Sequence, residues 1–493
     1  MSGTISLPYY PATNRTFGVF ADIDGSKANT SIFQQRTLLL GQALNGAAAV
    51  IGSPVLITSL AQAASLFGLQ SMLYDMVAQY RSQDSFGELW ALPQADPTGS
   101  KAIGSLSYAG TATAAGTISH YVAGQLLVVP VNVGDTSIVL ATRTIALAAS
   151  YPTLAVALGT VANTSAVGLT AVHAGLLGND IDLRANYLGS AGGENPVPGI
   201  TVTYMAMTGG TGVHPELATQ LSALAVQTYD YVCTPYTDTA ALDALDAFLD
   251  EKVGRWSWQQ MLFGGYFTAM RGTPGALATF GTARNGKHGS CLGVGDTPDP
   301  MWRVAADYTA NVAASLTGDP NRPLQNMALG FKPPPLEKRF SRSIRNTMLY
   351  DGISTFTVVS GVVMLERACT FYQVNAAGAP DNAYLDVETL FGLAYLIRRW
   401  QNRMLTRFPR MKLVQDGATI PAGSNMVSPS TIRFETIAWY QEECDAGNAQ
   451  DPAGFAKLIL AQNAGNGLVK ETLPFILVNQ LRQIAAVAQF TKP

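Results

Sequence analysis

A strand-like pattern lies close to each end of the chain, and neither pattern has a neighbour with which it could form a hairpin. In both, apolar side chains occupy every second position, which is the period of a β-strand. The residues on the apolar faces are Phe17, Val19, Ala21 and Ile23 near the N-terminus and Ile484, Ala486, Ala488 and Phe490 near the C-terminus. A lone strand with an apolar face aggregates unless it adds to another sheet. The pattern predicts two arms that pair either with neighbouring copies of the chain or within the same subunit.

The 493 residues between and including these arms exceed the ~250–300 residues of a single core. Alternating apolar strands and helices favour a sheet covered on both faces, in an α/β (α+β) multidomain fold. Its first strands are TLLLGQAL, PVLITS and ELWALP, with one helix predicted from Ser59 to Tyr80. The predicted parts are an N-terminal arm (1–30), a core α/β domain in two segments (31–100 and 206–340), an inserted β-rich outer domain (101–205), an α+β C-terminal domain (341–470) and a C-terminal arm (471–493).

The charge of the chain is low and nearly balanced. Charged residues make up 13%, about half the ~25% of an ordinary soluble protein, which suits a surface that packs against copies of itself. The net charge of −3 argues against nucleic-acid binding, which requires a basic surface. The N-terminus has no signal-peptide pattern, and the apolar segment from 137 to 161 contains Arg143 and Pro152. The sequence therefore predicts no membrane insertion.

The nearest match to a nucleotide-binding motif is Gly281 to His288, which fits G-x-x-x-x-G-K. His288 replaces the Ser or Thr that would bind magnesium, and a strand or turn follows where a helix is required. We interpret this segment as a turn. The four histidines are too few and too dispersed for a metal cluster or a catalytic triad, and each is expected on the surface or in a loop. No catalytic residue, cofactor or metal is predicted.

The segment from Asp386 to Phe408 predicts a long amphipathic helix with Asp386 at its N-cap. Its apolar stripe consists of Leu390, Ala394, Ile397, Met404, Leu405 and Phe408. Arg399, Arg403 and Arg407 follow one another at every fourth position on the opposite face, with no acidic residue between them. Two interpretations stay open: an acidic partner surface, or acidic residues from a distant part of the same chain.

Several segments of the C-terminal region are informative when they are taken together. They are Asn346 to Thr355, Leu365 to Tyr372, Asp386 to Leu390, Thr406 to Leu413 and Asp416-Gly417. With Asn179 to Arg184 and Phe20 to Asp24, and in collinear order, they resemble the tail sheath proteins of Mu-like contractile phages. The resemblance therefore spans nearly the whole chain, although no single motif decides it.

The resemblance implies a structural subunit that forms six-fold helical rings around a tail tube and contracts to drive the tube through the host envelope. It implies a core that is subtilisin-like in fold without a protease site, exchange of the terminal strands between copies, and tube contact through the C-terminal domain, which fits Arg399, Arg403 and Arg407. The implied partners are further copies of the chain, the tail tube protein, and baseplate and tail terminator proteins. The implied location is the phage tail in the virion, and the host cytoplasm during assembly.

Two alternative functions stay open. One is another virion component, such as a tail tube or capsid-associated protein, and the other is an NTPase or hydrolase that uses Gly281 to His288.

Overall fold

The first described part of the chain alternates strands with helices, and its strands are nearly continuous apolar runs. The computed structural model describes residues 35–161, 164–421 and 423–492. The elements of this part are β1 (Arg36–Gln42), β2 (Val55–Leu56), α1 (Leu60–Phe67), α2 (Met72–Gln83) and β3 (Glu88–Gln94). The three predicted strands are confirmed. Strands buried on both faces are recognisable in a sequence because every position is apolar.

The single helix predicted from Ser59 to Tyr80 is wrong, because two helices occupy this stretch. Gly68 ends α1 with a φ of +85°, and a Cβ there would lie 2.4 Å from Leu44 Cδ1. Ser71 then begins α2, since its hydroxyl accepts a hydrogen bond from the amide of Tyr74 at 3.0 Å. A glycine in the left-handed region and a new N-cap three residues later stop one helix and start another.

Among residues 101–161 and 164–208 the chain forms two antiparallel sheets and one α-helix. The elements are β4 (Lys101–Gly110), β5 (Gly116–Val122), β6 (Gln125–Val131), α3 (Ser137–Ala148), β7 (Val156–Thr160), β8 (Ala166–Ala174), β9 (Leu183–Ala185) and β10 (Ile200–Thr208). The strand orders are β10-β4-β8-β7 and β6-β5-β9. This part of the chain is thus rich in β-strands, as predicted for residues 101–205.

The next part of the chain completes the central sheet that β1, β2 and β3 begin. Its elements are α4 (Leu217–Ala223), β11 (Tyr231–Cys233), α5 (Thr239–Phe248), β12 (Gly265–Arg271), α6 (Pro274–Thr282), β13 (Gly289–Val294) and α7 (Met301–Gly318). The six-stranded order is β13-β12-β11-β1-β3-β2, parallel except for the edge strand β2. The largely buried helix α7 packs against α2 and contacts β1, β11 and β12.

The remaining residues carry the long helices of the C-terminal region. The elements are β14 (Met327–Leu329), α8 (Arg342–Tyr350), β15 (Thr355–Val359), β16 (Val362–Arg367), α9 (Val387–Arg407), β17 (Lys412–Leu413), β18 (Met426–Val427), α10 (Pro429–Asp445), α11 (Pro452–Leu458), β19 (Leu460–Gly465) and β20 (Leu468–Thr472). β14, β16 and β15 form an antiparallel sheet, while β17–β18 and β19–β20 are two-stranded pairs. The mixed α and β multidomain character predicted from the sequence is confirmed.

Two hydrophobic cores stabilise the described residues. The larger is a single cluster whose members come from positions between Leu38 and Phe391, on both sides of the predicted boundaries near residues 100, 205 and 340. The domain boundaries stay predictions. The smaller lies between α9, α10 and α11 around Trp439 and Tyr440. No helix in the described ranges is both long and apolar enough to span a membrane.

Candidate functional site

The arginine row of α9 lies against α10 of the same chain. Arg399 donates from Nε to Oε1 of Glu443 at 2.5 Å, and Arg403 donates from Nε to Oε1 of Glu435 at 2.6 Å. Arg407 Nε lies 3.4 Å from the same Glu435 oxygen. Distant acidic residues, the second of the two interpretations of this row, therefore face all three arginines.

The three arginines differ in how much solvent they contact. The side chains of Arg399 and Arg403 are 31% and 32% exposed, whereas that of Arg407 is 62% exposed. Glu443 is fully buried, so the charge of Arg399 balances a carboxylate in the interior. A role of the row as a tube-facing surface stays a prediction, and Arg407 is its most accessible member.

The buried face of α9 differs from the predicted apolar stripe. Leu390 and Ala394 are buried as predicted, but Leu405 is largely exposed, and Leu396 is buried where Ile397 was predicted. The reason is that the first half of α9 packs into the larger core and Leu396 packs into the smaller one. Because α9 packs into two cores, its buried residues do not all lie on one face, and a single apolar stripe cannot predict them.

A group of cations extends beyond the end of α9. Arg407, Arg410 and Lys412 are all exposed, and the latter two have no ion pair among the described residues. We call these three residues the basic tip. The apolar side chain of Leu405, two residues before Arg407, is exposed as well. Such a surface offers three positive charges at little desolvation cost to a partner.

Residues 473–482 dock on their own subunit and do not continue the strand β20. The ring of Phe475 stacks on those of Tyr440 and Phe455, with centroids 6.1 and 6.2 Å away. The amide of Ile476 donates to the Tyr440 hydroxyl at 2.9 Å, and its carbonyl accepts from the amide of Gln450 at 3.0 Å. The first half of the predicted C-terminal arm (471–493) therefore pairs within the chain, because its aromatic and backbone groups complete the smaller core.

Arg482 ends this docked segment in a cluster of charges at the first turn of α9. Its Nη2 lies 2.7 Å from Oε1 of Glu388 and 3.0 Å from Oδ1 of Asp386, and its Nη1 donates to Gln325. Asp386 is the N-cap residue, as predicted, but its carboxylate makes no capping bond and binds Arg367 instead. Burial raises the pKa of Glu388, and the positive charge of Arg482 opposes that rise.

The chain beyond Arg482 is exposed to solvent. Residues 483–492 form no helix or strand in the structure and are exposed throughout. The predicted apolar face holds two large side chains in solvent, with Ile484 84% exposed and Phe490 90% exposed, together with the small Ala486 and Ala488. We call residues 483–492 the free arm. The N-terminal candidates Phe17, Val19, Ala21 and Ile23 lie outside the described residues.

The hairpin β19–β20 offers open strand edges on the same C-terminal region. Within the described residues its two strands pair only with each other, from Leu460–Thr472 to Gly465–Leu468. Leu460 and Leu468 are exposed. An isolated two-stranded hairpin is marginal in water, and its unpaired amides and carbonyls can accept a further strand.

The segment from Gly281 to His288 has the wrong order of elements for a phosphate loop. The helix α6 ends inside it, at Thr282, and the strand β13 follows it, whereas the motif requires a strand first and a helix second. Lys287 Nζ lies 2.6 Å from Oε1 of Glu251 and 4.5 Å from the ring centroid of Tyr384. Gly281 is needed for packing, since a Cβ there would lie 1.9 Å from the carbonyl oxygen of Asp351. These contacts account for the motif residues without a phosphate.

The expectation of surface or loop histidines is wrong for His120 and His173, which are buried on β5 and β8. His214 and His288 do lie in loops, although their side chains are buried too. His173 most resembles part of a catalytic site, as its Nδ1 lies 2.6 Å from Oδ1 of Asp96. In a catalytic site its Nε2 would accept a proton from a nucleophile. Here it accepts a hydrogen bond from the backbone amide of Met72 at 3.1 Å. The ring nitrogens of His120 bind two tyrosine hydroxyls, and burial lowers the pKa of this histidine to about 4. Strand alternation could have indicated burial for His120 and His173.

Comparisons with known proteins agree with a structural role. The family model of the phage tail sheath protein central domain matches residues 210–371, from just before α4 to just after β16. The Mu-like prophage FluMu tail sheath protein of Haemophilus influenzae is 35% identical over 493 residues, which cover 99% of this chain and 99% of that protein. The chain belongs to the Mu-like phage tail sheath family. The family predicted from the sequence is thereby confirmed, and with it a structural role in a contractile phage tail.

Solved sheath structures align with this sheath protein along most of its length. A sheath tail protein from Desulfitobacterium hafniense is 13% identical, with a TM-score of 0.47, and the match covers 94% of this chain and 97% of that chain. A sheath tail protein from Listeria innocua is 12% identical, with a TM-score of 0.48, and the match covers 90% and 92%.

Proposed function

We propose that this sheath protein polymerises as six-fold helical rings around a tail tube and contracts to drive the tube through the host envelope. The observation that carries the proposal is the free arm, which exposes Ile484 and Phe490 to solvent and follows directly on a docked segment. A subunit that exposes such a segment gains stability when the segment adds as a strand to the sheet of a neighbouring copy. The N-terminal arm, with Phe17, Val19, Ala21 and Ile23, is proposed to act in the same way.

The hairpin β19–β20 is the proposed acceptor of an arm from another copy. Its edges carry unpaired backbone groups, and Leu460 and Leu468 offer exposed apolar contacts for Ile484 and Phe490 of the arriving strand. Backbone hydrogen bonds would supply most of the attachment, and apolar side chains would fix the register. A hydrogen-bonded tether keeps neighbours connected while their core domains move relative to each other.

The proposed surface for the tail tube is the end of α9. Arg399 and Arg403 are half-buried against glutamates, whereas Arg407 is the exposed end of the row. The basic tip, which adds Arg410 and Lys412 to Arg407, is therefore the part that can meet an acidic partner. Exposed charge contacts are weak and salt-sensitive, which suits a surface that must release during contraction. Baseplate and tail terminator proteins are the further partners we propose, with the virion as final location and the host cytoplasm as the place of assembly.

Contraction is proposed to use the free energy stored in the assembled lattice. Subunits held in an extended lattice would move to a more compact one that buries more surface between copies. This process needs no enzyme activity and no nucleotide, in keeping with the contacts of Lys287. The parallel central sheet covered by helices supports a core of the subtilisin-like type, which we propose as a scaffold and not as a protease.

Electron microscopy of the purified protein tests the proposal. The full chain should form hollow cylinders, and a chain that ends at Arg482 should remain as folded subunits with an unchanged circular dichroism spectrum. In the full chain, Ile484→Glu with Phe490→Glu should prevent cylinders, whereas Gln489→Glu adds a charge on the other face of the same strand and should permit them. Cylinders formed by the truncated chain would contradict strand exchange. A thin tube with the diameter of a bare tail tube would favour the rival virion component.

A further inference from the structure

The cluster around Arg482 is built to receive a positive charge from the C-terminal segment. Glu388 is fully buried, and among the described residues Arg482 is its only ion-pair partner. Asp386 has a second cation in Arg367, at 2.7 Å. An ionised carboxylate without a counter-charge is expensive in an interior. The first turn of α9 is therefore complete only when Arg482 is in place.

Arg482 also lies at the boundary between a docked segment and an exposed one. Residues 473–482 are mostly half-buried and carry hydrogen bonds to Tyr440 and Gln450, whereas residues 483–492 are all exposed. The carbonyl of Leu481 accepts a bond from the Gln325 side chain at 3.0 Å, beside the contact of Arg482 with the same residue. Every described residue beyond this point is available to a neighbour.

We propose that Arg482 is the anchor through which each sheath subunit holds its exchanged C-terminal arm, and that Asp386 and Glu388 are its receptor. The inference rests on the strand exchange proposed above. The anchor fixes the length of the tether, because the arm is free only after residue 482. Force on the arm then enters the N-terminal end of α9 and does not peel residues 473–482 from the smaller core.

The position of the anchor connects the two proposed contacts of the sheath subunit. Helix α9 has 21 residues, which at 1.5 Å per residue is a rod of about 30 Å. Its first turn binds Arg482, and its last turn begins the basic tip. One rigid element thereby joins the link between neighbouring subunits to the surface proposed to contact the tube.

Two insertions of equal size test the anchor in the full chain. A Gly-Gly insertion between Asn479 and Gln480 lies before Arg482 and should leave the free arm, and hence the helical rise and twist of the cylinders, unchanged. The same insertion after Gln483 lengthens the free arm and should alter the helical parameters measured by electron microscopy. If both insertions alter the cylinders alike, or neither does, Arg482 does not set the tether.

Substitutions give an independent measurement. In Arg482→Gln, amide hydrogen exchange of residues 476–482 in the unassembled subunit should accelerate at least about tenfold, with exchange in the central sheet unchanged. Cylinder formation should fall several-fold, and Arg482→Lys should recover part of both properties. Arg322→Gln, which alters an exposed arginine that has no ion pair among the described residues, is the control.

The outcomes separate this inference from the proposed function. Faster exchange with normal assembly would overturn the anchor, as would lost assembly with unchanged exchange, because Arg482 would then contact the neighbour directly. If removal of residues 483–493 leaves assembly intact, strand exchange itself is wrong. If that removal abolishes cylinders while Arg482→Gln forms them normally, only the anchor is wrong.

Discussion

Arg399 donates its Nε–H to Oε1 of Glu443 across the contact between α9 and α10, at 2.5 Å. The other oxygen of Glu443 accepts from the side-chain amide of Asn448 at 2.8 Å. Both oxygens of this fully buried carboxylate are thereby satisfied. The Arg399 end of the row therefore holds the C-terminal region together, while the end at Arg407 reaches solvent.

Loss of Arg399 should destabilise the subunit far more than loss of Arg407. Arg399→Ala leaves Glu443 buried without a counter-charge, and we expect the free energy of unfolding to fall by about 2–3 kcal/mol. Arg407→Ala removes a contact that is largely in solvent, and we expect a change below about 0.5 kcal/mol. Chemical denaturation of both variants measures the difference. Equal effects would show that the two pairs are alike in spite of their burial.

The sequence predicted the arginine row but could not predict what it faces. Spacing rules connect residues within one helix, whereas Glu435 and Glu443 are separated from their arginines by 32 and 44 positions. The strands of the central sheet were predictable because burial on both faces leaves a continuous apolar run. The break at Gly68 was not, since a glycine is tolerated inside helices and only its contact with Leu44 decides the outcome.

The C-terminal end shows the same limit of local patterns. The apolar face from Ile484 to Phe490 was predicted, but the docking of Phe475 depends on Tyr440 and Phe455, which come from different helices. A run of apolar residues indicates that a segment needs a partner. It does not indicate whether that partner is its own subunit.

Removal of the Phe475 ring should release the docked segment without unfolding the subunit. The ring contributes to the smaller core through its stack with Tyr440 and Phe455, and we expect Phe475→Ala to cost about 2–3 kcal/mol of local stability. Limited proteolysis should then cut the chain between 473 and 482 several times faster. Phe434→Ala, at an exposed phenylalanine of α10, is the control and should leave the cleavage rate unchanged.

Asp307 should make the stability of the subunit depend on pH. It is fully buried on α7, and although Gln79 and Gly330 donate to its two oxygens, burial raises its pKa to about 7. A raised pKa in the folded state means that the stabilising form is the protonated one. Its contribution is complete below about pH 4 and is lost as the pH rises through 7.

Asp307→Asn tests this dependence, because the Gln79 amide can turn to accept from the new side chain. Between pH 4 and 7 the variant should gain stability relative to the unsubstituted chain, by no more than about 4 kcal/mol. Thermal unfolding of both proteins across this pH range measures the difference between their stabilities. The contributions of all other titrating groups cancel in that difference. A constant difference would mean that Asp307 keeps an ordinary pKa.

Lys287 should be dispensable for ligand binding and matter only for packing. Its ammonium group is engaged by Glu251 and the ring of Tyr384, so we expect no specific ATP binding by the chain with or without Lys287→Ala. Isothermal titration calorimetry with magnesium and ATP checks this. Specific binding that disappears in the variant would favour the NTPase rival.

Charge reversal at the basic tip should weaken association with the tail tube while sparing self-assembly. Arg410→Glu with Lys412→Glu changes two exposed positions that have no ion pair among the described residues, so the subunit should keep its stability. We expect co-sedimentation with tail tubes to fall several-fold at low salt, and the difference to shrink as salt screens the contact. Arg342→Glu reverses an exposed charge on α8 and serves as the control.

Because Arg399 and Arg403 hold α9 to α10, charge reversal at these two positions would confuse lost stability with lost tube contact. If the double reversal at the tip leaves co-sedimentation unchanged, the tube contacts another surface of the sheath subunit.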